Sequence, residues 1–222
     1  MLILRQIKIF RFSFSLCLLL LLPAFLKGQT DTSRFYLRTG IDIGRFVTLG
    51  LNPGNRGLEF SLDSKISKDI HLVAEFGLNN YTQEEDFVDY HANGYFVRAG
   101  LNYNMLDNEK FRNNDIVFLG IRPAWCSFTH SANDVIIRDS HWGNTRTQIA
   151  EQDLNVFWLE ALAGIKVEVL QNLYLGWSIR GKVVIAVNGD DDSNPAYIPG
   201  FGKSVNKSVI GINYNVAYMF ML

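Results

Sequence analysis

Residue types that could perform chemistry gather in one stretch of the sequence, near residues 127–151. Ser127, His130, Ser131, His141 and Glu151 lie there, and a serine, a histidine and an acid are what a hydrolase needs to activate a nucleophile. A lipid-modifying hydrolase is therefore one reading of this stretch. No Gly-x-Ser-x-Gly elbow surrounds either serine, although this motif is the local signature of many serine hydrolases. We accordingly predict no catalytic residues and no enzyme.

Metal and phosphate motifs are similarly incomplete. The four histidines, His71, His91, His130 and His141, lack the spacing of metal ligands. Gly202-Lys203-Ser204 resembles the end of a phosphate-binding loop, but that motif requires glycine where Tyr197 stands. The acidic runs 84–86 and 190–192 lack EF-hand spacing and are typical of solvated loops. The sequence thus predicts no metal site and no cofactor.

Charged residues at alternating positions form the most distinctive set. Twelve of them share one face of the segments described below: Arg38, Asp42, Glu59, Asp63, Glu75, Arg98, Arg122, Glu160, Lys166, Glu168, Arg180 and Lys182. With Lys65, that face has seven bases and six acids. Isolated buried charges are costly, so a balanced set inside a narrow barrel would have to pair. We predict that these residues form a charge-paired network that plugs a barrel interior.

Eight segments with a period of two must position these side chains. They lie near residues 35–47, 57–66, 70–81, 94–105, 115–128, 154–170, 172–187 and 210–222. In the last segment, large apolar residues occupy every second position from Ile210 to Leu222, as expected for one face of a strand. The pattern predicts an all-β fold, a single antiparallel, eight-stranded, up-and-down β-barrel.

The connections between these segments alternate in length. Long ones are predicted near 48–56, 82–93, 129–153 and 188–204, and shorter ones near 67–69, 107–114 and 171–172. Long outer loops and short periplasmic turns are typical of outer-membrane barrels. Aromatic residues near strand ends could form interfacial girdles, namely Phe35, Tyr95, Tyr103, Trp125, Phe157, Trp177, Tyr214 and Tyr218.

Residues 1–28 have the features of a secretory signal peptide. Arg5, Lys8 and Arg11 precede an apolar run over residues 12–22, and Gly28 suits a cleavage position. Residues 29–222 are then the barrel domain. They carry 17 basic and 22 acidic residues, a net charge of −5, which makes a nucleic-acid partner unexpected. Cys126 is the one cysteine left in this domain, so no internal disulfide is expected.

Periodicity alone does not say which face of the barrel lies inside. A soluble, lipocalin-like lipid carrier with an apolar interior shows the same alternation. Three features favour the membrane barrel: the balanced charges, the long connections at one end, and a final strand that ends on large apolar residues at alternate positions. Membrane lipid and the outer-membrane assembly machinery are the expected partners, and the outer membrane is the expected location.

Several short stretches near the C-terminus resemble a family of secreted proteins from Gram-negative bacteria, the domain of unknown function 6048. The stretches are 158–160, 163–170, 172–176, 197–201 and 211–215. The resemblance is specific over about 155–218 and looser from residue 35. It implies an outer-membrane type of β-barrel, and it implies no activity and no catalytic residues. We therefore expect a plugged outer-membrane barrel with a structural or binding role carried by its extracellular loops.

Overall fold

The computed structural model shows eight antiparallel strands that close into one barrel. It describes residues 36–85, 88–106, 115–139, 143–188, 195–204 and 207–221. Each of these eight strands pairs with its neighbours along the chain, and the last closes on the first. This closure confirms the predicted eight-stranded fold. The predicted signal peptide lies outside the described residues.

The elements follow one another along the chain in a simple order. They are β1 (Tyr36–Asp42), α1 (Gly44–Leu51), β2 (Asn55–Lys65), β3 (Ile70–Glu85), β4 (Val88–Asn104), β5 (Ile116–Asp139), β6 (Gly143–Leu170), β7 (Leu173–Asn188), the two-residue strands β8 (Tyr197–Ile198) and β9 (Gly202–Lys203), and β10 (Ser208–Met221). Around the barrel the strand order is β1-β10-β7-β6-β5-β4-β3-β2, and β8 and β9 form a separate two-stranded sheet inside the connection from β7 to β10. In the part of the chain described, no helix is long and apolar enough to span a bilayer.

Alternating burial along each strand reflects the alternating sequence. On β3, for example, His71, Val73 and Glu75 are buried, whereas Leu72 and Phe76 are exposed. Successive side chains of a strand point to opposite faces, so the inner face collects the polar positions and the outer face collects the apolar ones. The interior is therefore polar and charged over much of its length, and the wall around it is apolar outside.

The short turns lie at the end of the barrel that also holds the start of β1 and the end of β10. Gln171 and Asn172 join β6 to β7, and Asn172 has a φ of 65°, a left-handed conformation that asparagine tolerates better than most residues. Residues 66–69 join β2 to β3, where the Ile66 N–H donates a hydrogen bond of 2.9 Å to the Ile70 carbonyl. Both turns agree with the positions predicted from the sequence.

Two of the predicted long connections are strands instead of loops. Residues 82–93 and 129–153 were expected as loops, but β3 and β4 pair as far as Glu85 and Val88, and β5 and β6 pair as far as Asp139 and Gly143. Register shifts near His130 and Ala132 bend the second hairpin without ending it. Together, strands β3–β6 extend beyond the rest of the barrel as a four-stranded sheet, which we call the β3–β6 wall.

The first predicted strand also ends early. We expected it over residues 35–47, but β1 stops at Asp42 and the chain turns into α1. The Asp42 carboxylate accepts a hydrogen bond of 2.8 Å from the Gly44 N–H, and the Ile43 N–H donates one of 2.7 Å to the Tyr214 carbonyl. These bonds stop the strand and direct α1 across the rim of the barrel.

Candidate functional site

The twelve charged residues predicted to share an interior face are placed almost entirely inside the barrel. Eleven of them are buried, and Glu168 is half-buried. They come from every long barrel strand except β10, and they divide into a central cluster and a second cluster near the chain termini. Arg45 of α1 joins the central cluster from the rim. Sequence periodicity could not identify Arg45, because its segment was assigned to a strand.

Glu75 lies at the centre of the larger cluster. Its carboxylate accepts hydrogen bonds from Arg98 (2.7 Å) and from both terminal nitrogens of Arg180 (2.7 and 3.0 Å), and it also contacts Arg122. Three guanidinium groups from β4, β5 and β7 therefore converge on one carboxylate of β3. Charge-assisted bonds of this kind are the strong class of hydrogen bond, and here they join strands from around the barrel.

Glu59 and Glu160 complete this central cluster. Glu59 accepts from Arg98 at 2.6 Å and from Arg45 at 3.3 Å. Glu160 lies 3.1 Å from Nε of Arg98 and 3.4 Å from Arg180, and it accepts a hydrogen bond of 2.7 Å from the Trp158 indole N–H. Each acid thus contacts at least two donors, which a buried carboxylate needs to offset its desolvation.

A second cluster surrounds Asp63, nearer the chain termini. Asp63 contacts Lys166, lies 3.1 Å from Nδ1 of His71 and lies 3.8 Å from Arg38. The Arg38 guanidinium stacks between the Tyr36 and Tyr174 rings, at 4.7 and 4.4 Å from their centroids. Cation–π contacts of this kind stabilise a guanidinium that is buried away from water.

Glu168 and Asp42 lie at the two ends of this interior. The Glu168 carboxylate accepts from the Asn172 N–H at 2.7 Å and from the Tyr174 hydroxyl at 3.2 Å, so it holds the β6–β7 turn. Asp42 accepts from the Asn213 side chain at 2.7 Å, at the opposite end and beneath α1. Asn213 and the other amides of the interior were not among the predicted residues, since an uncharged amide gives no charge pattern.

Residues 195–201 fold back into the barrel mouth and close it. Pro195, Tyr197, Ile198 and Phe201 are all buried there. The Gly200 carbonyl accepts hydrogen bonds from Arg98 (3.2 Å) and from Lys182 (2.7 Å), and the Phe201 carbonyl accepts a second bond from Lys182 (3.1 Å). Two cations of the interior therefore hold the backbone of this inserted segment.

An aromatic layer lies between the inserted segment and the β3–β6 wall. Tyr197 stacks on Tyr81 with centroids 4.1 Å apart and planes 4° apart, and Phe201 meets Trp158 edge-on at 6.0 Å. Phe96 is fully buried, and its ring packs directly against Gly77 and Gly200. A Cβ added at either glycine would collide with this ring. The layer seals the charged interior from the barrel mouth.

Gly200→Ala should weaken this seal. The φ of Gly200 is 77°, and an added Cβ would come within 2.5 Å of the Phe96 ring, so both backbone strain and overpacking oppose alanine. We expect a loss of about 1–3 kcal/mol in the free energy of unfolding, measured by denaturant titration in lipid. Gly50→Ala in α1 is the control, because nothing lies within 4 Å of that Cβ. Equal stability of the two variants would contradict this account of the seal.

The residues considered for a hydrolase are not brought together. Ser127 is half-buried on the outer face of β5, whereas His130 is buried on the inner face between the Tyr90 and Phe128 rings. Glu151 is exposed on β6, and His141 lies outside the described residues. Ser127 and His130 therefore point to opposite faces of one strand and cannot form a nucleophile–base pair.

Metal and thiol chemistry find no support in the described parts of the chain. Within those ranges, no three residues among the histidines, cysteines, aspartates and glutamates are arranged to hold a metal ion. Gly202-Lys203-Ser204 lies in and just after β9, and no helix follows it in the described residues. Cys126 is a free, fully buried thiol in the aromatic layer.

The outer face of the barrel carries a continuous apolar belt with a sharp upper edge. On four neighbouring strands the outward side chains change from apolar to polar at Leu78/Asn80, Tyr95/Asn93, Trp125/Ser127 and Phe157/Asn155. The belt spans about ten residues per strand, which at ~3.3 Å per residue and a tilt of ~40° gives a height of about 25 Å. This is the height of the apolar band of a transmembrane barrel.

Aromatic rings mark the upper edge of this belt. Tyr95, Trp125 and Phe157 form a row across β4, β5 and β6, with centroid distances of 5.6 and 6.4 Å. Near the chain termini, Tyr218 contacts Phe220 at 4.9 Å and Tyr103 is exposed. Tyr214 is exposed nearer α1, Trp177 is half-buried, and Phe35 lies outside the described residues.

Comparison with known proteins gives a family and a set of distant structural resemblances. The family model of the domain of unknown function DUF6048 matches residues 9–222. No curated protein sequence matches the chain.

Three solved structures illustrate the structural resemblance. A major outer membrane protein of Thermus thermophilus has 11% identity, with 86% of this chain and 100% of that chain covered and a TM-score of 0.48. Ail, the attachment invasion locus protein of Yersinia pestis, has 11% identity, 84% and 98% coverage and a TM-score of 0.42. Neisserial surface protein A has 10% identity, 85% and 97% coverage and a TM-score of 0.41. At these scores the resemblance carries no inference about activity.

Proposed function

The chain belongs to the DUF6048 family, and we propose that it is an outer-membrane β-barrel with a closed, charge-paired interior. The β3–β6 wall above the apolar belt then serves as a rigid contact surface outside the cell. Secretion by the N-terminal signal peptide and insertion by the outer-membrane assembly machinery are part of this proposal. The role is structural or binding, with no catalytic residues.

The inverted polarity of the barrel is the observation that supports membrane insertion. Among the described residues, 37 large hydrophobic side chains are exposed, while charged residues fill the interior. Contiguous exposed apolar surface of this extent is unfavourable in water, because monomeric soluble proteins rarely expose more than a few hundred Å². In lipid the same surface is solvated, and closure leaves no strand edge unpaired within the belt.

The lipocalin-like alternative needs the opposite arrangement. A soluble lipid carrier would bury the apolar face around its ligand, whereas here Glu160, Arg122 and Arg38 are almost completely buried inside the barrel. The lipid-modifying hydrolase would need Ser127 and His130 on one face of β5, and they lie on opposite faces. Neither alternative has a specific observation in its favour.

A filled interior predicts that the barrel conducts no ions. Eight strands leave room only for side chains, and two cavities described among the residues of the central cluster have volumes of about 120 and 20 Å³. We expect the purified full-length protein to fold into planar bilayers without raising their conductance above that of bare lipid. Stepwise channels with uniform conductance would contradict the plugged interior.

The direction in which the β3–β6 wall points can be tested by labelling whole cells. Thr129 lies on the outward face above the belt, and Lys68 lies in the β2–β3 turn at the other end. We expect Thr129→Cys to react with a membrane-impermeant maleimide on intact cells, and Lys68→Cys to react only after the outer membrane is permeabilised. Buried Cys126 gives a low background. The reverse pattern would place the wall in the periplasm, and recovery of a soluble periplasmic monomer would favour the carrier.

A further inference from the structure

Helix α1 is an apolar element at the upper edge of the belt. Phe46, Val47 and Leu51 are 54%, 62% and 84% exposed, and no residue of the helix is buried. Its one charged residue, Arg45, points inward to Glu59. A helix with this surface is poorly suited to water, and it lies level with the boundary where lipid headgroups would meet acyl chains. It therefore fits the interfacial position of an amphipathic helix.

A groove runs between this helix and the outer wall of the barrel. Phe46 and Leu49 form one side and Leu58 and Leu78 form the other, around a volume of about 340 Å³. Gly57 also lines the groove, between Arg56 and Leu58 on β2. An apolar groove at the edge of the belt has the shape and chemistry to hold an acyl chain.

A second, polar pocket of about 740 Å³ adjoins the groove on the side away from the belt. Amide and hydroxyl side chains line much of it, including Asn52, Asn80, Thr82 and Gln83. These groups both donate and accept hydrogen bonds, as the hydroxyls of a sugar require. The pocket is also much larger than a simple phosphate group would need.

Positive charge lies where the two cavities meet. Arg56 and Asn80 line both of them, and Lys203 of β9, just after the inserted segment, lines the polar pocket. Both cations are exposed, and among the residues that the structure describes Glu84 is the one acid that lines the pocket. The Arg56 Nε is held by the Pro53 carbonyl at 3.2 Å, which leaves its terminal nitrogens as donors. Arginine presents such donors in a fork that matches a phosphate.

We propose that this double cavity binds a phosphorylated glycolipid of the surrounding leaflet. An acyl chain lies in the groove under α1, a phosphate lies on Arg56 and Lys203, and the sugar fills the amide-lined pocket. This site rests on the proposed membrane location and adds to it a specific lipid class. It also gives β9, which directly follows the inserted segment, a role in binding, since Lys203 belongs to β9.

The test compares three lipids on the full-length protein in detergent micelles. Native mass spectrometry would count the bound molecules of a bisphosphorylated, acylated disaccharide lipid, of the same lipid without phosphates, and of phosphatidylglycerol. We expect the phosphorylated glycolipid to bind at least tenfold more tightly than the other two. Equal binding of phosphatidylglycerol would overturn the assignment to a glycolipid, and equal binding of the dephosphorylated lipid would overturn the phosphate site.

Matched variants locate the site. Arg56→Gln with Lys203→Gln should lower glycolipid affinity at least tenfold, whereas Lys68→Gln, a cation at the other end of the barrel, should leave it unchanged. Leu58→Ala in the groove should weaken binding more than Leu62→Ala, which lies on the same outward face of β2. Heat-modifiable gel migration of each variant shows whether the barrel is folded. If the variants are folded and bind the glycolipid as tightly as the wild type, the lipid site is overturned and the membrane barrel is not.

Discussion

Glu75→Leu is expected to lower the free energy of unfolding by about 3–5 kcal/mol, the usual cost of breaking a buried ion pair by removing one partner. Glu75 is 6% exposed and accepts from Arg98, Arg122 and Arg180. Leucine would leave three guanidinium groups close together, with Glu59 and Glu160 as the remaining acids. The measurement is a denaturant titration of the protein folded in lipid vesicles.

Two comparisons distinguish the effect of losing the buried charge from the effect of changing the side chain. Glu151→Leu replaces an exposed acid of β6 and should stay within about 0.5 kcal/mol of the wild type, as surface substitutions do. Adding Arg122→Met to Glu75→Leu removes one stranded cation, so the double variant should be less destabilised than the sum of the two single changes. If Glu75→Leu also stays within about 0.5 kcal/mol, the cluster is hydrated and contributes little to stability.

The alternation of apolar and polar residues made much of the barrel predictable from the sequence. A strand repeats its faces every two residues, so Arg122 and Glu160 could be assigned to one face without knowing which strands were neighbours. The structure makes them direct cross-strand partners on β5 and β6. The number of alternating segments predicted the eight-stranded barrel, whereas two of the four connections predicted to be long are strands. Such local and periodic signals survive in a single sequence.

The long β3–β6 wall could not be predicted in the same way. Thr129 and Ser131 are polar and lie next to histidines and asparagines, which favours a loop. The strands continue because their inner residues pack on a distant segment: Tyr81 stacks on Tyr197, and the Tyr90 hydroxyl lies 3.3 Å from the Tyr197 carbonyl. A contact between residues so remote in sequence leaves no periodic signal.

Helix α1 was missed for a related reason. Its sequence, with phenylalanine, valine and threonine, has the residue types of a strand. The helix forms where β1 ends, at bonds made by Asp42 and Tyr214, and Tyr214 is remote in sequence. Propensity is a weak guide wherever tertiary hydrogen bonds decide the backbone. The groove beneath α1 therefore could not be predicted from the sequence either.

Strand β10 determines whether the barrel closes, and truncation after Asn213 should abolish the folded form altogether. All seven residues of β1 pair with β10, at positions 215–221. Without this partner, β1 and β7 would each expose a row of backbone donors and acceptors to hydrocarbon, where no water can satisfy them. We expect the truncated chain to lose the compact, heat-modifiable band in the membrane fraction completely.

A single charge placed on the same strand should also lower the free energy of unfolding substantially, although less than the truncation does. Val216 faces outward between Ile41 of β1 and Leu175 of β7, near the middle of the belt. Lysine there should cost about 2–4 kcal/mol if the belt lies in lipid, whereas Val216→Ala should cost less and Thr129→Lys, above the belt, should cost almost nothing. All three can be followed by heat-modifiable gel migration and by denaturant titration. A wild-type stability for Val216→Lys would mean that water covers this face, and the soluble barrel would then replace the membrane one.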